Sequence, residues 1–348
     1  MHSCLVRPLP IANPPNPWHK TEIEYLEEPP DAGLHLYEDK TRDVLSENDS
    51  PDIDFRWSLN PYRGCMHACA YCYARTYHEY LGFGAGTDFD RRIVIKRNAA
   101  ELLRAAFEKP SWKGELIVFS GATDCYQPLE ATYGITRACL EVCREYQNPV
   151  SIITKSPTIE RDIDLLADLA SKASVRVAVS IPFFDVEKAR AVEPYVATPA
   201  RRFRTIERLA AAGIRVGVNV APLIPGLSDE DVPSVLDAAF AAGAREAHMV
   251  MLRLSGPVLP VFVDRIRKAF PLRAEKILSR IRDTRGGQLN DSRFGRRFQG
   301  TGEYADILQQ LFSKHAARLG MNVWTPMDQD IPITFTRPTD KGQLRLFG

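Results

Sequence analysis

Short apolar runs alternate with amphipathic stretches from about residue 55 to residue 254, and this alternation constrains the fold more than any other feature of the chain. Six runs are typical of strands, at residues 57–60, 115–120, 150–154, 175–181, 214–221 and 246–252. The stretches between them predict helices at residues 99–108, 134–146, 158–171, 199–212 and 229–242, because apolar residues recur there at three- and four-residue spacing. Near-continuous apolar strands separated by helices indicate a parallel sheet that is buried on both faces.

These units predict an α/β fold, a partial (β/α)6 TIM-like barrel, because about six units are visible where a closed barrel needs eight. We predict three regions: an extended N-terminal arm at residues 1–54, a core barrel at residues 55–256 and a helical and irregular C-terminal cap at residues 257–348. Within the cap, residues 258–270 and 303–319 predict helices joined by an Arg-rich loop, and residues 322–335 predict one or two short strands. Functional sites of such sheets lie at the C-terminal ends of the strands.

Two helix boundaries carry their own signals. Gly213 follows the helical stretch at residues 199–212 and predicts a C-terminal stop before the next strand. Asn98 precedes another helix, with Glu101 three residues later, and this spacing predicts a capping box.

Composition limits the cellular setting and the partners. The chain has 348 residues and a formal net charge of +1, so any attraction to nucleic acid or to a membrane must come from a local patch. A run of about 18 apolar residues is absent, and prolines interrupt residues 1–17, where a secretory signal would have its apolar core. We therefore expect a cytoplasmic protein, whose seven cysteines stay reduced and serve metal binding or catalysis rather than disulfides.

Residues 60–75 (NPYRGCMHACAYCYAR) hold three cysteines in the pattern C-x3-C-x2-C: Cys65, Cys69 and Cys72. Soft thiolates at this spacing suit an iron–sulfur cluster or zinc. A [4Fe–4S] cluster ordinarily takes four cysteines, so three would leave one iron open for another ligand. The alternatives are a Cys3His zinc site completed by His67 or His78, which would describe a zinc-stabilised nucleic-acid-binding protein without catalysis, and ordinary buried thiols.

The C-x3-C-x-aromatic-C loop, placed directly after a strand and opening a β/α series, resembles the signature of the radical S-adenosylmethionine (SAM) superfamily. The order of the later motifs is similar to the subgroup that includes spore photoproduct lyase and its uncharacterised relatives. This resemblance covers residues 57–254. It implies a [4Fe–4S] cluster whose fourth iron binds SAM, and reductive cleavage of SAM to a 5′-deoxyadenosyl radical that abstracts a substrate hydrogen. It also implies an electron donor such as a flavodoxin or a ferredoxin.

The resemblance implies SAM contacts at the end of the second strand. Gly121, Thr123 and Asp124 occupy that place here, where a Gly-Gly-Glu segment is common in the family. Gly121 permits close backbone approach, and the other two residues offer acceptors for the SAM amino group. The alternative for Asp124 is a turn residue that caps the next element.

Further SAM contacts are implied at the ends of later strands. Lys155 would pair with the SAM carboxylate, and Ser180 would hydrogen-bond the ribose. Arg201 or Arg202 would approach the same carboxylate or a substrate anion, and Pro222 begins a segment that would carry the adenine. The alternative for the polar residues is contact with water alone.

Aromatic residues beside the cysteines imply a place for the adenine. Tyr71 would flank it, whereas Tyr73 is equally interpreted as a core aromatic.

Cys125 follows the turn that would contact SAM, and we consider it as a catalytic hydrogen donor. Spore photoproduct lyase returns a hydrogen atom from a cysteine in this strand region, but alignment by eye places Gly121 at that position. This departure argues against photoproduct repair. The alternative for Cys125 is a buried structural thiol.

The Arg-rich loop, residues 280–297, predicts contact with an anionic substrate, which includes DNA or RNA, through Arg293, Arg296 and Arg297. The alternative is a loop whose arginines form ion pairs within the protein. A lyase-like or rearrangement reaction is the predicted outcome. A peptide-modifying radical SAM maturase is a second enzymatic alternative, although a Cys-rich C-terminal extension for auxiliary clusters is missing.

Overall fold

The computed structural model describes residues 33–323 and 331–338, and the fold is mixed α/β. The strands are β1 (His35–Glu38), β2 (Leu45–Glu47), β3 (Trp57–Leu59), β4 (Tyr62–Arg63), β5 (Arg92–Ile95), β6 (Ile117–Phe119), β7 (Val150–Thr154), β8 (Val175–Ser180), β9 (Arg215–Leu223), β10 (Glu246–Met251) and β11 (Asn322–Val323).

The helices are α1 (Arg75–Glu79), α2 (Thr87–Arg91), α3 (Ala99–Glu108), α4 (Glu130–Tyr133), α5 (Ile135–Glu145), α6 (Ile163–Ala170), α7 (Val186–Val192), α8 (Pro199–Ala211), α9 (Val232–Ala241), α10 (Val258–Ala269), α11 (Ala274–Asp283) and α12 (Glu303–Arg318). Short 3-10 helices at Pro157–Asp162 and Asp229–Asp231 lead into α6 and α9. None of the helices in residues 33–323 and 331–338 combines the length and the apolar character that a bilayer crossing requires.

One large sheet organises the chain, in the strand order β11-β10-β9-β8-β7-β6-β3-β2. Strands β3, β6, β7, β8, β9 and β10 are parallel neighbours in chain order, which confirms the predicted parallel sheet. Strand β11 extends the sheet in parallel beside β10, and β2 runs antiparallel along β3. The C-terminal ends of the six parallel strands therefore meet at one edge, which we call the carboxyl edge.

The apolar runs form strands because both faces of the sheet are covered. Phe119, Ile152, Val177 and Val218 are at most 1% exposed, and every residue of β6 is buried. Helices α3, α5 and α8 direct apolar residues at three- and four-residue spacing toward this core, which explains why periodicity located them.

The two predicted helix boundaries had different outcomes. Gly213 takes a φ of +76° just after α8, and the Ile214 N–H bonds the Leu209 carbonyl at 3.1 Å, so the predicted stop is confirmed. Asn98 is the N-cap of α3, but its side chain caps no backbone N–H. The predicted capping box is therefore wrong.

The described part of the N-terminal arm is paired with both sheets. Strand β1 runs parallel to β5 in a small sheet of order β1-β5-β4, and β2 pairs with β3. Residues 1–32 of the predicted arm lie outside the described residues.

The C-terminal cap contains one helix more than expected. Helix α11 covers Ala274–Asp283, so the first part of the predicted Arg-rich loop is helical. Of the predicted terminal strands, β11 is present and residues 331–338 are irregular. Residues 324–330 and 339–348 lie outside the described part of the chain.

Phe335 of the predicted cap packs against the first part of the core, where its ring centroid lies 5.5 Å from that of Phe107. A Cβ on Gly114, whose φ is +80°, would lie 2.2 Å from the Phe335 Cβ, so only glycine fits there. The end of the described chain thus packs against α3.

Candidate active site

The three cysteines lie on a loop that leaves β4 and enters α1 at the carboxyl edge. The loop begins at Gly64, whose φ of +80° favours glycine and whose added Cβ would lie 2.8 Å from the Phe89 carbonyl oxygen. The Cys65 N–H donates to that same carbonyl at 2.9 Å. The close approach of Gly64 to Phe89 therefore fixes where the loop starts.

Arg75 holds the loop from inside. Its side chain is fully buried and donates to four carbonyls: those of Ala68 at 3.0 Å, Cys69 at 3.0 Å, Ala85 at 2.7 Å and Gly86 at 2.9 Å. Five donors in a rigid fork suit this task, and a lysine could not reproduce it. The role of Arg75 was not predictable from the sequence, because its partners are backbone carbonyls, which every residue type carries.

Gln127 ties the loop to the segment after β6. Its side-chain oxygen accepts from the Met66 N–H at 3.0 Å, and its amide donates to the Gly64 carbonyl at 3.0 Å. Gln127 is fully buried, so both bonds are made away from water. The loop is thus fixed at both flanks of Cys65.

Five of the predicted SAM contacts lie at or just beyond the ends of strands, near the carboxyl edge. Thr123 and Gly121 follow β6, Lys155 follows β7, Ser180 ends β8 and Pro222 lies in the last residues of β9. The parallel sheet thus brings residues from Gly121 to Pro222 to one edge of the fold.

The Asp124 carboxylate contacts two other segments at the carboxyl edge. Its carboxylate accepts from the Thr154 hydroxyl at 2.8 Å and from the Lys155 N–H at 2.7 Å, and it lies 3.4 Å from His67 Nδ1. These contacts link the end of β6 to the end of β7 and to the cysteine loop. Asp124 Oδ1 also accepts from the Tyr126 N–H at 2.9 Å, so the turn alternative for Asp124 is supported over a SAM contact.

Gly121 occupies a confined place. A Cβ there would lie 2.7 Å from the Ser58 Cβ, and the Tyr73 hydroxyl donates to the Gly121 carbonyl. Thr123 donates its hydroxyl to the Tyr62 carbonyl at 2.6 Å. The residue beyond Cys72 is therefore attached to the turn after β6, and Tyr73 is a surface residue that is 38% exposed rather than a core aromatic.

A buried ionic cluster joins the cysteine loop to the ends of β7 and β8. Glu193 pairs with Arg202 at 2.7 Å, accepts from the Tyr71 hydroxyl and lies 3.7 Å from Lys155 Nζ. Arg202 also donates to the Ser180 carbonyl at 2.7 Å. Burial opposes ionisation of Glu193, but the charges of Arg202 and Lys155 outweigh it and hold the pKa of Glu193 below its ordinary value.

This cluster revises the expected role of Arg202, while the Tyr71 hydroxyl is bound to Glu193. The Arg202 guanidinium is 1% exposed and is engaged by protein groups, so it supports Glu193 instead of reaching out to a SAM carboxylate. Among the described residues, the Lys155 ammonium makes two long contacts, 3.7 Å to Glu193 and 3.5 Å to the Ala221 carbonyl, and it keeps capacity for another anion. Sequence analysis missed Glu193, although it begins the stretch that contains Arg202.

Cys125 lies within the core. Its side chain is fully buried, and burial raises its pKa well above the ordinary value for a thiol. The Ser120 hydroxyl accepts from its N–H at 2.8 Å, and the Thr136 hydroxyl donates to its carbonyl at 2.6 Å. This setting favours the structural interpretation of Cys125 over a catalytic one.

The arginines predicted to meet an anion differ in their surroundings. Arg293 binds Asp291 through its Nε and Nη2, and Arg297 binds Asp52 of the arm at 2.5 Å. Arg296 is exposed and has no ion pair within the described residues. Two of the three predicted contacts are therefore already satisfied inside the protein.

Residues 59–239, more than half of the chain, match the family model of the radical SAM superfamily. The chain belongs to the radical SAM superfamily. An uncharacterised protein of Mycobacterium tuberculosis H37Rv is 38% identical over 233 residues, which are 66% of this chain and 67% of that protein. An uncharacterised protein of Methanocaldococcus jannaschii is 29% identical over 174 residues, 50% of this chain and 62% of the relative.

Among solved structures, spore photoproduct lyase shares the fold of this radical SAM protein. One variant of the lyase aligns with a TM-score of 0.59 and 18% identity over 83% of this chain and 81% of the lyase. The lyase complexed with a dinucleoside spore photoproduct aligns with a TM-score of 0.56 and 16% identity over the same shares. The subgroup predicted from the order of motifs is thus confirmed at the level of fold.

The three loop thiols fit the donor set of a radical SAM cluster. Burial raises the pKa of Cys65, Cys69 and Cys72, so a cation is needed to hold them as thiolates. In the part of the chain that the structure describes, no three His, Cys, Asp or Glu side chains gather around a point suited to one metal ion. A cubane does not require such convergence, because its thiolates bind different irons.

Proposed function

We propose that this protein is a radical SAM enzyme that holds a [4Fe–4S] cluster on Cys65, Cys69 and Cys72 and abstracts hydrogen from an anionic substrate. The observation that carries the proposal is the fixed position of the cysteine loop at the same carboxyl edge as Lys155 and Ser180. When bound, the cluster supplies the electron that cleaves SAM to methionine and a 5′-deoxyadenosyl radical.

The residues of this chain would bind and orient SAM. Lys155 offers its ammonium to the SAM carboxylate, since its contacts to Glu193 and Ala221 are long. Gly121, Thr123 and Ser180 lie at the same edge, where they would contact SAM. Pro222 and Tyr71 would confine the adenine.

We interpret the large sheet as a partial (β/α)6 barrel, with regions at residues 1–54, 55–256 and 257–348. The six parallel strands in chain order support this interpretation. An electron donor such as a flavodoxin or a ferredoxin and a cytoplasmic location remain parts of the proposal. So does an anionic substrate, which includes DNA or RNA, since a lyase of the same fold was solved with a dinucleoside photoproduct.

Anaerobic reconstitution tests the proposal. The protein is loaded with iron and sulfide, reduced and incubated with SAM, and 5′-deoxyadenosine is measured. We expect the nucleoside from the wild type and from Cys143→Ala, which removes a buried thiol outside the loop, and none from Cys69→Ala. One zinc per chain, with neither sulfide nor SAM cleavage, would replace the proposal by the zinc-stabilised binding protein.

A further inference from the structure

Arg253 is a positive charge at the carboxyl edge that has no carboxylate partner in the described part of the chain. It stands two residues beyond the end of β10, and its side chain is only partly exposed. Its Nε is buried without a hydrogen bond, and no carboxylate pairs with it among residues 33–323 and 331–338. A charge in such a place costs free energy unless a counter-ion joins it.

A second guanidinium makes the charge excess larger. Arg253 and Arg297 both lie over the Phe298 ring, each with its Cζ 4.9 Å from the ring centroid. Asp52 is the carboxylate that contacts this pair, and it is bound to Arg297. Burial and the neighbouring charge of Arg297 lower the pKa of Arg253, which records the same lack of compensation.

The two arginines are held in place before any ligand arrives. Arg285 is buried and donates to the carbonyls of Leu252, Arg296 at 3.0 Å and Arg297 at 3.1 Å. It therefore joins the segment that carries Arg253 to the segment that carries Arg297. Fixed donors of this kind lose little entropy when they bind an anion.

Aromatic rings lie beside both arginines: Phe294 has its centroid 4.6 Å from Arg297 Cζ, and Tyr73 and Tyr77 are close enough to Arg253 to oppose the lowering of its pKa by burial. Tyr77 is 52% exposed, Phe294 is 61% exposed, and Tyr73 meets Tyr77 edge to face with centroids 6.1 Å apart. Tyr73 follows the last cysteine of the loop and bonds the turn after β6, so the rings extend from the cluster loop. Rings beside an unpaired guanidinium match single-stranded nucleic acid, whose bases stack and whose phosphates bind arginine.

We propose that Arg253, together with Arg297, is the phosphate-binding part of the substrate site and receives a phosphodiester of a single-stranded nucleic acid. This rests on the proposed function, because it places the substrate at the edge that would hold SAM. Phe298 supports both guanidiniums, and Tyr73 and Tyr77 offer stacking surfaces for the adjoining bases. In the free protein, Asp52 neutralises the charge of Arg297, and among the described residues no carboxylate does the same for Arg253.

The test measures binding of a fluorescein-labelled, ten-nucleotide, mixed-sequence single-stranded DNA to the cluster-loaded full chain. We expect Arg253→Gln to raise the Kd about tenfold or more, because one charge-assisted contact is lost. Arg204→Gln removes an exposed arginine of α8 and should leave the Kd within about twofold.

Asp52→Asn is the control that distinguishes a lost contact from a loss of folding. It frees Arg297 and should lower the Kd several-fold, which a destabilised protein would not do. An Arg253→Gln variant that binds as tightly as the wild type would overturn the proposal. So would a wild type that binds an acidic peptide of equal charge through Arg253 and does not bind the DNA.

The readout separates this inference from the proposed function. SAM cleavage without substrate is measured on the same wild-type protein and on Arg204→Gln, which lies outside every site described above and should cleave SAM like the wild type. A wild type that binds DNA through Arg253 yet cleaves no SAM would refute the enzyme and retain the site. A wild type that cleaves SAM but binds DNA equally with and without Arg253 would refute the site and retain the enzyme.

Discussion

Glu193 and Arg202 form an ion pair of 2.7 Å in which neither side chain is more than 1% exposed. Tyr71 of the cysteine loop donates to the same carboxylate, and the Ala70 N–H bonds the Val192 carbonyl at 2.9 Å. The segment between α7 and α8 therefore holds the cysteine loop through one buried charge pair.

Glu193→Gln should destabilise the metal-free protein by about 3 kcal/mol or more, because the buried Arg202 would lose its counter-ion. Urea unfolding measures the change. Glu187→Gln serves as the control, since that carboxylate is 83% exposed and its loss should cost less than about 0.5 kcal/mol. Equal stability of the two variants would contradict the role given to the pair.

Lys155→Met should weaken SAM binding by about tenfold to a hundredfold while iron content stays normal. The ammonium has only long contacts within the protein, so its removal costs the ligand more than the fold. Calorimetric titration of the reconstituted protein with SAM measures the Kd. Lys172→Met, on an exposed pair with Asp168, should bind SAM like the wild type. Unchanged affinity in Lys155→Met would assign the SAM carboxylate to another residue.

Arg75→Lys should lower the iron retained after reconstitution by half or more, although the helix content persists. An ammonium cannot serve the four carbonyls that Arg75 binds, and each buried carbonyl left without a donor costs about 1–3 kcal/mol. Iron and sulfide per chain are the measurement, with circular dichroism to follow folding. Arg92→Lys, at a side chain that is 42% exposed, is the matched control. Full cluster loading in Arg75→Lys would show that the loop holds its shape without this fork.

His78 should make the fold sensitive to acid. Burial lowers its pKa to about 4, and its Nε2 meets the Asp88 carbonyl at 3.1 Å. The unfolded chain, with an ordinary pKa near 6.5, binds the proton first, so stability falls as the pH drops from about 6.5 toward 4.

The acid sensitivity can be isolated by comparing slopes. His78→Gln should flatten the pH dependence of the unfolding free energy of the metal-free protein between pH 6.5 and 4.5. Asp90 acts in the opposite sense, because burial raises its pKa to about 6, but it is present in both proteins and cancels in the difference. Identical slopes would place the acid sensitivity elsewhere.

Strand order and edge positions were predictable because they follow from periodicity and from parallel pairing. The run at residues 150–154 coincides with β7, whereas β9 continues to Leu223, past the predicted end at residue 221. Proline is disfavoured inside strands, so Pro222 made the sequence look as if the strand had ended. Lys155 and Ser180 were located correctly at strand ends, since the C-terminal end of a parallel strand is visible in sequence.

Partners of buried polar groups were not predictable in the same way. Arg75, Gln127 and Arg285 bind carbonyls, and every residue type carries a carbonyl. The role proposed for Arg253 was not predictable, because a sequence does not show whether a carboxylate lies near an arginine in the fold. The failed capping box at Asn98 has a local cause, since its φ of −89° and ψ of 19° place it outside the extended conformation that capping needs.

A hydrogen bond of Arg285 spans the predicted boundary between residues 256 and 257. Arg285 lies in the predicted cap, and it donates to the carbonyl of Leu252 in the predicted core. Cutting or grafting the chain at that boundary would strip a buried carbonyl of its donor and release Arg253 from its support. The cap therefore cannot be exchanged between relatives as a separate module. Residues 252–253 and the segment from Arg285 to Arg297 have to be inherited together.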